Sequence, residues 1–129
     1  MTREEFIQEL DNRNYSYNIE GDKIAVTEKG TVDLQSLPSL PPGVVFNNGD
    51  DVYLNPLESL PHGLEFNNGG TVYLSSLTSL TPGVVFNNGD DVALKSLIGG
   101  WFSQWEGNIK GVDSKKLLNF MVSKGIFEK

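Results

Sequence analysis

A chain of 129 residues with 17 acids against 10 lysines and arginines carries a formal net charge of −7; it suits one domain, 1–129, with a modest core. It has no cysteine and a single histidine, His62, which excludes disulfides, thiolate metal sites and cysteine nucleophiles and leaves little for a histidine-based centre. No apolar run approaches the roughly 20 residues of a membrane span, the start lacks a signal-type apolar stretch, and the acidity opposes direct nucleic-acid binding, so a cytoplasmic chain with no membrane contact is expected.

Residues 1–29 are expected to form an N-terminal cap. Thr2-Arg3-Glu4-Glu5 reads as a capping box, and Phe6, Ile7 and Leu10 share one face of the helix it would open. Tyr15 to Ile19 and Lys23 to Thr27 flank Glu20-Gly21-Asp22, the pattern of a hairpin. Its second strand leads directly into the next segment.

From residue 30 to 98 the chain repeats with a period of 20. Val32, Val52, Val72 and Val92 fall in register, as do Leu34, Leu54, Leu74 and Leu94, and Leu37, Leu57, Leu77 and Leu97. Leu40, Leu60 and Leu80 follow, then Gly43, Gly63 and Gly83, then Phe46, Phe66 and Phe86, and each unit closes on Asn-Asn-Gly. A unit this short cannot bury its own apolar face and must stack on its neighbours, which makes a solenoid. Val52-x-Leu54 alternates as a short strand with Tyr53 outward. Leu57-x-x-Leu60 suits a tight or irregular corner. Pro61 and Gly63 mark a turn, Leu64-x-Phe66 is a second short strand, and Asn-Asn-Gly is expected to turn the last corner through positive φ.

At Ile98-Gly99-Gly100 the repeat breaks. Residues 99–129 are expected to be a C-terminal cap, with a helix from about Ser114 to Lys124 that buries Leu117, Leu118, Met121 and Val122. Asp113 is its expected N-cap and Gly125 its C′ residue. Trp101, Phe102 and Trp105 either seal the last coil or offer an interface.

The segment Leu37-Pro38-Ser39-Leu40-Pro41-Pro42-Gly43, followed by Val44, Phe46 and Asn48, resembles the short bacterial leucine-rich repeat; the extra Val-x-Leu segment departs from it and implies two strands per coil. The coil Phe-Asn-Asn-Gly…Val-x-Leu-x-Ser-Leu-x-Ser-Leu is similar to a family of repeat proteins encoded by tailed phages and prophages. Nearly the whole chain takes part in that resemblance. The expected fold is α+β: a leucine-rich-repeat-like parallel β-solenoid of 20-residue coils with a helix–hairpin cap and a helical cap.

Catalytic motifs are missing from the sequence. Asp50-Asp51 and Asp90-Asp91 occupy the same corner of alternate coils, about 10 Å apart at strand spacing. That is too far to share one calcium and loose for a carboxylate-pair hydrolase. Asn47, Asn67 and Asn87 and the column Asn48, Asn68 and Asn88 are expected to bind backbone groups at the corner. Repeated serines read as turn-formers, and His62, in register with Pro42 and Pro82, reads as a surface turn residue. No nucleophile elbow, phosphate loop or dinucleotide fingerprint is present. A protein without catalysis, metal or cofactor is expected.

Residues 30–98 hold seven acids and only Lys95, a block of −6, whereas 99–129 sum to +2. Such asymmetry either steers basic partners or serves solubility. The outward column reads Asp33, Tyr53, Tyr73, Ala93, beside a second column of Gln35, Asn55, Ser75 and Lys95. Tyrosine is favoured at interface anchors, and also simply in strands. The candidate partner-binding set is therefore Asp33, Asp50, Asp51, Tyr53, Tyr73, Asp90 and Asp91. The phage resemblance implies an inhibitor of a bacterial defence system, of anti-CRISPR type, covering a basic nucleic-acid-binding surface on a protein partner. The alternative is a structural or assembly protein that self-associates through solenoid ends or strand edges.

Overall fold

The computed structural model describes residues 1–94, 108–109 and 111–125. Its order is helix α1 (Arg3–Asn12), strands β1 (Tyr17–Glu20), β2 (Lys23–Val26), β3 (Val32–Asp33), β4 (Val44–Phe46), β5 (Val52–Tyr53), β6 (Glu65–Phe66), β7 (Val72–Tyr73), β8 (Val85–Phe86), β9 (Val92–Ala93) and β10 (Asn108–Ile109), then helix α2 (Gly111–Ser123). Each coil gives one short strand to each of two sheets, ordered β1-β2-β4-β6-β8 and β10-β9-β7-β5-β3. Neighbouring coils pair in parallel at the sequence period, Val32 with Val52 and Val52 with Val72, Phe46 with Phe66 and Phe66 with Phe86. The result is an α+β solenoid with two strands per coil.

Period-2 alternation explains the core. Val52, Leu54, Leu57, Leu60, Leu64 and Phe66 of one coil are all buried, and their counterparts above and below join them in one cluster. Phe46, Phe66 and Phe86 stack with ring centroids 5.2 and 5.1 Å apart and nearly parallel planes, close to the spacing of the strands that carry them. The corner after each Val-x-Leu strand is made by a turn in which Leu37, Leu57 and Leu77 donate their N–H to the leucine three residues earlier, at 3.1–3.2 Å. It falls one leucine before the expected corner.

Glycine serves two different purposes in the coil. Positive φ occurs at Gly43, Gly63 and Gly83 (79°, 73° and 98°) in the Pro–Gly turn. The Asn-Asn-Gly corner, expected to turn through positive φ, does not. There a Cβ on Gly49, Gly69 or Gly89 would collide with the carbonyl oxygen of the coil below. Close approach of backbones, not a left-handed conformation, demands glycine at that corner.

At the N-terminus Thr2 and Glu5 form the capping box, and their mutual hydrogen bonds, with the Thr2 backbone first, hold the Glu5 carboxyl below its ordinary pKa. Phe6 and Leu10 are buried on the first coil, with Ile7 partly buried beside them. The hairpin of β1 and β2 turns at Gly21, φ 63°. Strand β2 is also the first rung of its sheet, because Ile24 pairs with Val44 and Val26 with Phe46. The sheet thus begins before the recognisable repeat does.

At the C-terminus α2 lies against β8. It starts at Gly111, so Asp113 lies inside its first turn and is not the N-cap. Leu118, Met121 and Val122 are buried, but Leu117 is 44% exposed because the buried face is turned toward Lys115 and Asn119. Gly125 ends the helix as expected, with φ 72° and its N–H bonded to the Val122 carbonyl at 3.0 Å. Trp101, Phe102 and Trp105 lie outside the described residues.

Polar side chains from α2 close the solenoid end. The Asn119 amide both donates to the Phe86 carbonyl and accepts from the Phe86 N–H, each at 2.9 Å. It thereby replaces a further strand. Lys115 Nζ donates to the carbonyls of Asn88 and Asp90. In the coils below, the corresponding Asn48 and Asn68 carbonyls accept the N–H of Gly69 and Gly89. Neither role was visible in the sequence, where Lys115 and Asn119 interrupt an apolar helix face without any repeated partner.

Candidate binding surface

The corner between the two sheets is organised by a buried asparagine column. Asn48 Nδ2 donates to the carbonyls of Gly30, Asp50 and Asp51 at 3.0–3.1 Å. Asn68 Nδ2 reaches Asp50, and Asn88 Nδ2 reaches Gly70, Asp90 and Asp91. Asn48, Asn68 and Asn88 thus bind backbone groups as expected, whereas Asn47, Asn67 and Asn87 are exposed. The column fixes the peptide path of the acidic corner from beneath, and so aims its carboxylates.

Asp50 and Asp90 are exposed, and Asp51 and Asp91 half-buried. Asp51 is not simply a surface charge: its Oδ1 accepts the N–H of Thr71 in the next coil at 2.8 Å. Gly70, which stands where the other coils have Asp50 and Asp90, leaves room for this. A Cβ there would collide with Asp51 Oδ1 and lie 2.9 Å from Asp50 Oδ1. The gap in the acid ladder therefore seats the acids below it.

Tyr53 and Tyr73 are half-exposed and stack with centroids 4.5 Å apart and planes within 1°. Partial burial in the stack pushes the Tyr53 phenol above its ordinary pKa, reinforced by Tyr73 and then by the carboxylates of Asp51 and Asp50. The phenol is a neutral donor at physiological pH, within electrostatic reach of the acidic corner. Asp33 pairs in register with Tyr53, and Ala93 with Tyr73. Asp33 is exposed, with Oδ1 accepting the Gln35 N–H at 3.1 Å. Beside this column Asn55 bridges two coils, donating to Gln35 Oε1 and accepting the Ser75 N–H, both at 3.1 Å. Ala93 is buried, and Lys95 lies outside the described residues.

Among the described residues no group of three or more histidines or acids is placed to hold a metal ion, and no helix is long and apolar enough to cross a membrane. Millimolar calcium is expected to leave the melting temperature unchanged in a thermal scan, since a bound ion would stabilise by mass action. A rise of several degrees would restore a metal site at Asp50-Asp51 or Asp90-Asp91. His62 is an exposed turn residue.

Compared with protein-family models, with curated proteins and with solved structures, the chain finds no match.

Proposed function

We propose that the protein is a non-enzymatic binding module whose acidic corner and stacked tyrosines dock on a basic protein surface. The observation that supports this reading most is the parallel Tyr53–Tyr73 stack, half-exposed and within electrostatic reach of Asp50 and Asp51. Rigid, pre-stacked rings lose little conformational entropy on binding, which suits them as anchors. The acids of the −6 block would steer a positively charged partner and orient it on the rings. The likeness to leucine-rich and phage repeats extends the reading to a phage-encoded, anti-CRISPR-like inhibitor in the host cytoplasm. It would cover the nucleic-acid-binding surface of a bacterial defence component.

The test is kinetic binding to the partner recovered by pull-down, with thermal melts alongside. Asp50→Lys with Asp90→Lys should slow association and flatten its salt dependence. Tyr53→Ala with Tyr73→Ala should speed dissociation about tenfold or more. Asp51 is left in place, because its bond to Thr71 would confuse folding with binding. Variants that melt normally and bind like the parent would refute the surface.

A further inference from the structure

The rung ends of this solenoid are not treated alike. β9 is covered by β10, β8 by the Asn119 amide, and the corner after β8 by Lys115 at the Asn88 carbonyl. The outward N–H of β3 at Asp33 is taken by the Tyr15 hydroxyl at 3.0 Å. Among the described residues nothing covers β1 in this way: Asn18, Ile19 and Glu20 are exposed, Ile19 at 48%. An uncovered edge is a template for another strand.

The hairpin register says which groups are free. Glu20 pairs with Lys23 and Asn18 with Ala25, and the Thr27 N–H reaches the Ser16 carbonyl at 2.9 Å. Hydrogen-bonded and non-bonded pairs alternate in an antiparallel ladder, and the Ile24 N–H and Val26 carbonyl point the other way, to Gly43 and Asn47. Ser16, Asn18 and Glu20 therefore face β2. Tyr17 and Ile19 present N–H and C=O to the open side.

We infer that β1 pairs antiparallel with β1 of a second copy, about a two-fold axis through Asn18. In that register Tyr17 of each copy exchanges both backbone hydrogen bonds with Ile19 of the other. The side chains agree with it. Asn18 meets Asn18, and Glu20 meets Ser16, so no like charges face each other. Tyr17 meets Ile19, an aromatic against a β-branched residue on the face that carries Ile24 and Val26, which covers the exposed Ile19. One strand pair is a small contact between two chains of −7, so the dimer is weak and strengthens with salt, as screening relieves the repulsion. Binding of a basic partner by the acidic corner would weaken with salt instead.

Sedimentation equilibrium of the purified protein, from about 10 µM to about 1 mM at low and high salt, tests this without any partner. The parent should dimerise toward the upper end, more tightly in high salt. Asn18→Asp and Asn18→Lys, each alone, put like charges on the axis and should weaken the dimer about fivefold. An equal mixture of the two should recover it as a mixed dimer. Ile19→Pro removes an outward N–H that the hairpin does not use, and should leave a monomer that melts near the parent temperature. A parent monomeric throughout, or a dimer indifferent to the Asn18 charges, or a mixture no tighter than the single variants, would overturn the inference.

Discussion

Phe66→Ala is expected to destabilise the protein by about 3–5 kcal/mol, the range for truncating a buried aromatic. Phe66 is fully buried and lies between Phe46 and Phe86 in the ring stack. Truncation removes both ring contacts and leaves a void that the parallel strands resist closing, because their spacing is set by backbone hydrogen bonds. The Asn67 N–H to Phe46 carbonyl bond and the Asn87 N–H to Phe66 carbonyl bond, at 2.8 and 2.7 Å, fix it there. Denaturant unfolding measures the loss. A loss below about 1 kcal/mol would mean that Phe66 faces water rather than the core.

Asn48→Asp should cost about 3 kcal/mol or more at neutral pH although it barely changes the side chain's shape. The Asn48 amide nitrogen donates to three backbone carbonyls in a site where the residue is 2% exposed. An ionised carboxylate there would face three acceptors with no compensating donor, an uncompensated buried charge. The same environment favours the protonated acid, which can donate one hydrogen bond, so the variant's folded-state pKa is raised above the unfolded value of about 3.9. Its stability is then greatest below that unfolded value and falls as pH rises through the folded one. Unfolding of variant and parent between acidic and neutral pH should show the deficit growing with pH. Asn47→Asp, one residue away but exposed, should change stability by less than about 0.5 kcal/mol. Equal behaviour of the two variants would reject the buried column.

Much of the coil was readable because its contacts repeat. When Val52 pairs with Val72 and Phe66 with Phe86, the partner of each residue is its own counterpart one period away. Strand spacing and inward alternation then follow from the apolar pattern, as does an asparagine at each corner. The capping box at Thr2–Glu5, the hairpin and the Gly125 terminus were readable for a different reason: each is a local arrangement whose residues lie within a few positions. The candidate surface was legible only as a column of residue types. Tyr53 and Tyr73 had to be outward together, but the part of Asp51 in binding Thr71 depends on the space over Gly70.

The solenoid itself is written in the residue order: its period, its two strands per coil and the residues each coil buries. Periodicity carries that information, since each strand pairing between the repeats joins equivalent positions one period apart. The treatment of the ends follows instead from contacts made in the folded chain. Phe86 and Asn119 lie 33 residues apart and Lys115 and Asn88 27 apart, with no counterpart elsewhere in the chain to announce them. The same holds for the exposure of Leu117, which follows from the rotation that brings Asn119 to the Phe86 backbone. It holds too for the Asn-Asn-Gly glycines, whose reason is a carbonyl in the coil below. Local pattern can state that a strand edge exists; which side chain returns to close it, and that β1 is left open among the described residues, depends on where the folded chain comes back in space.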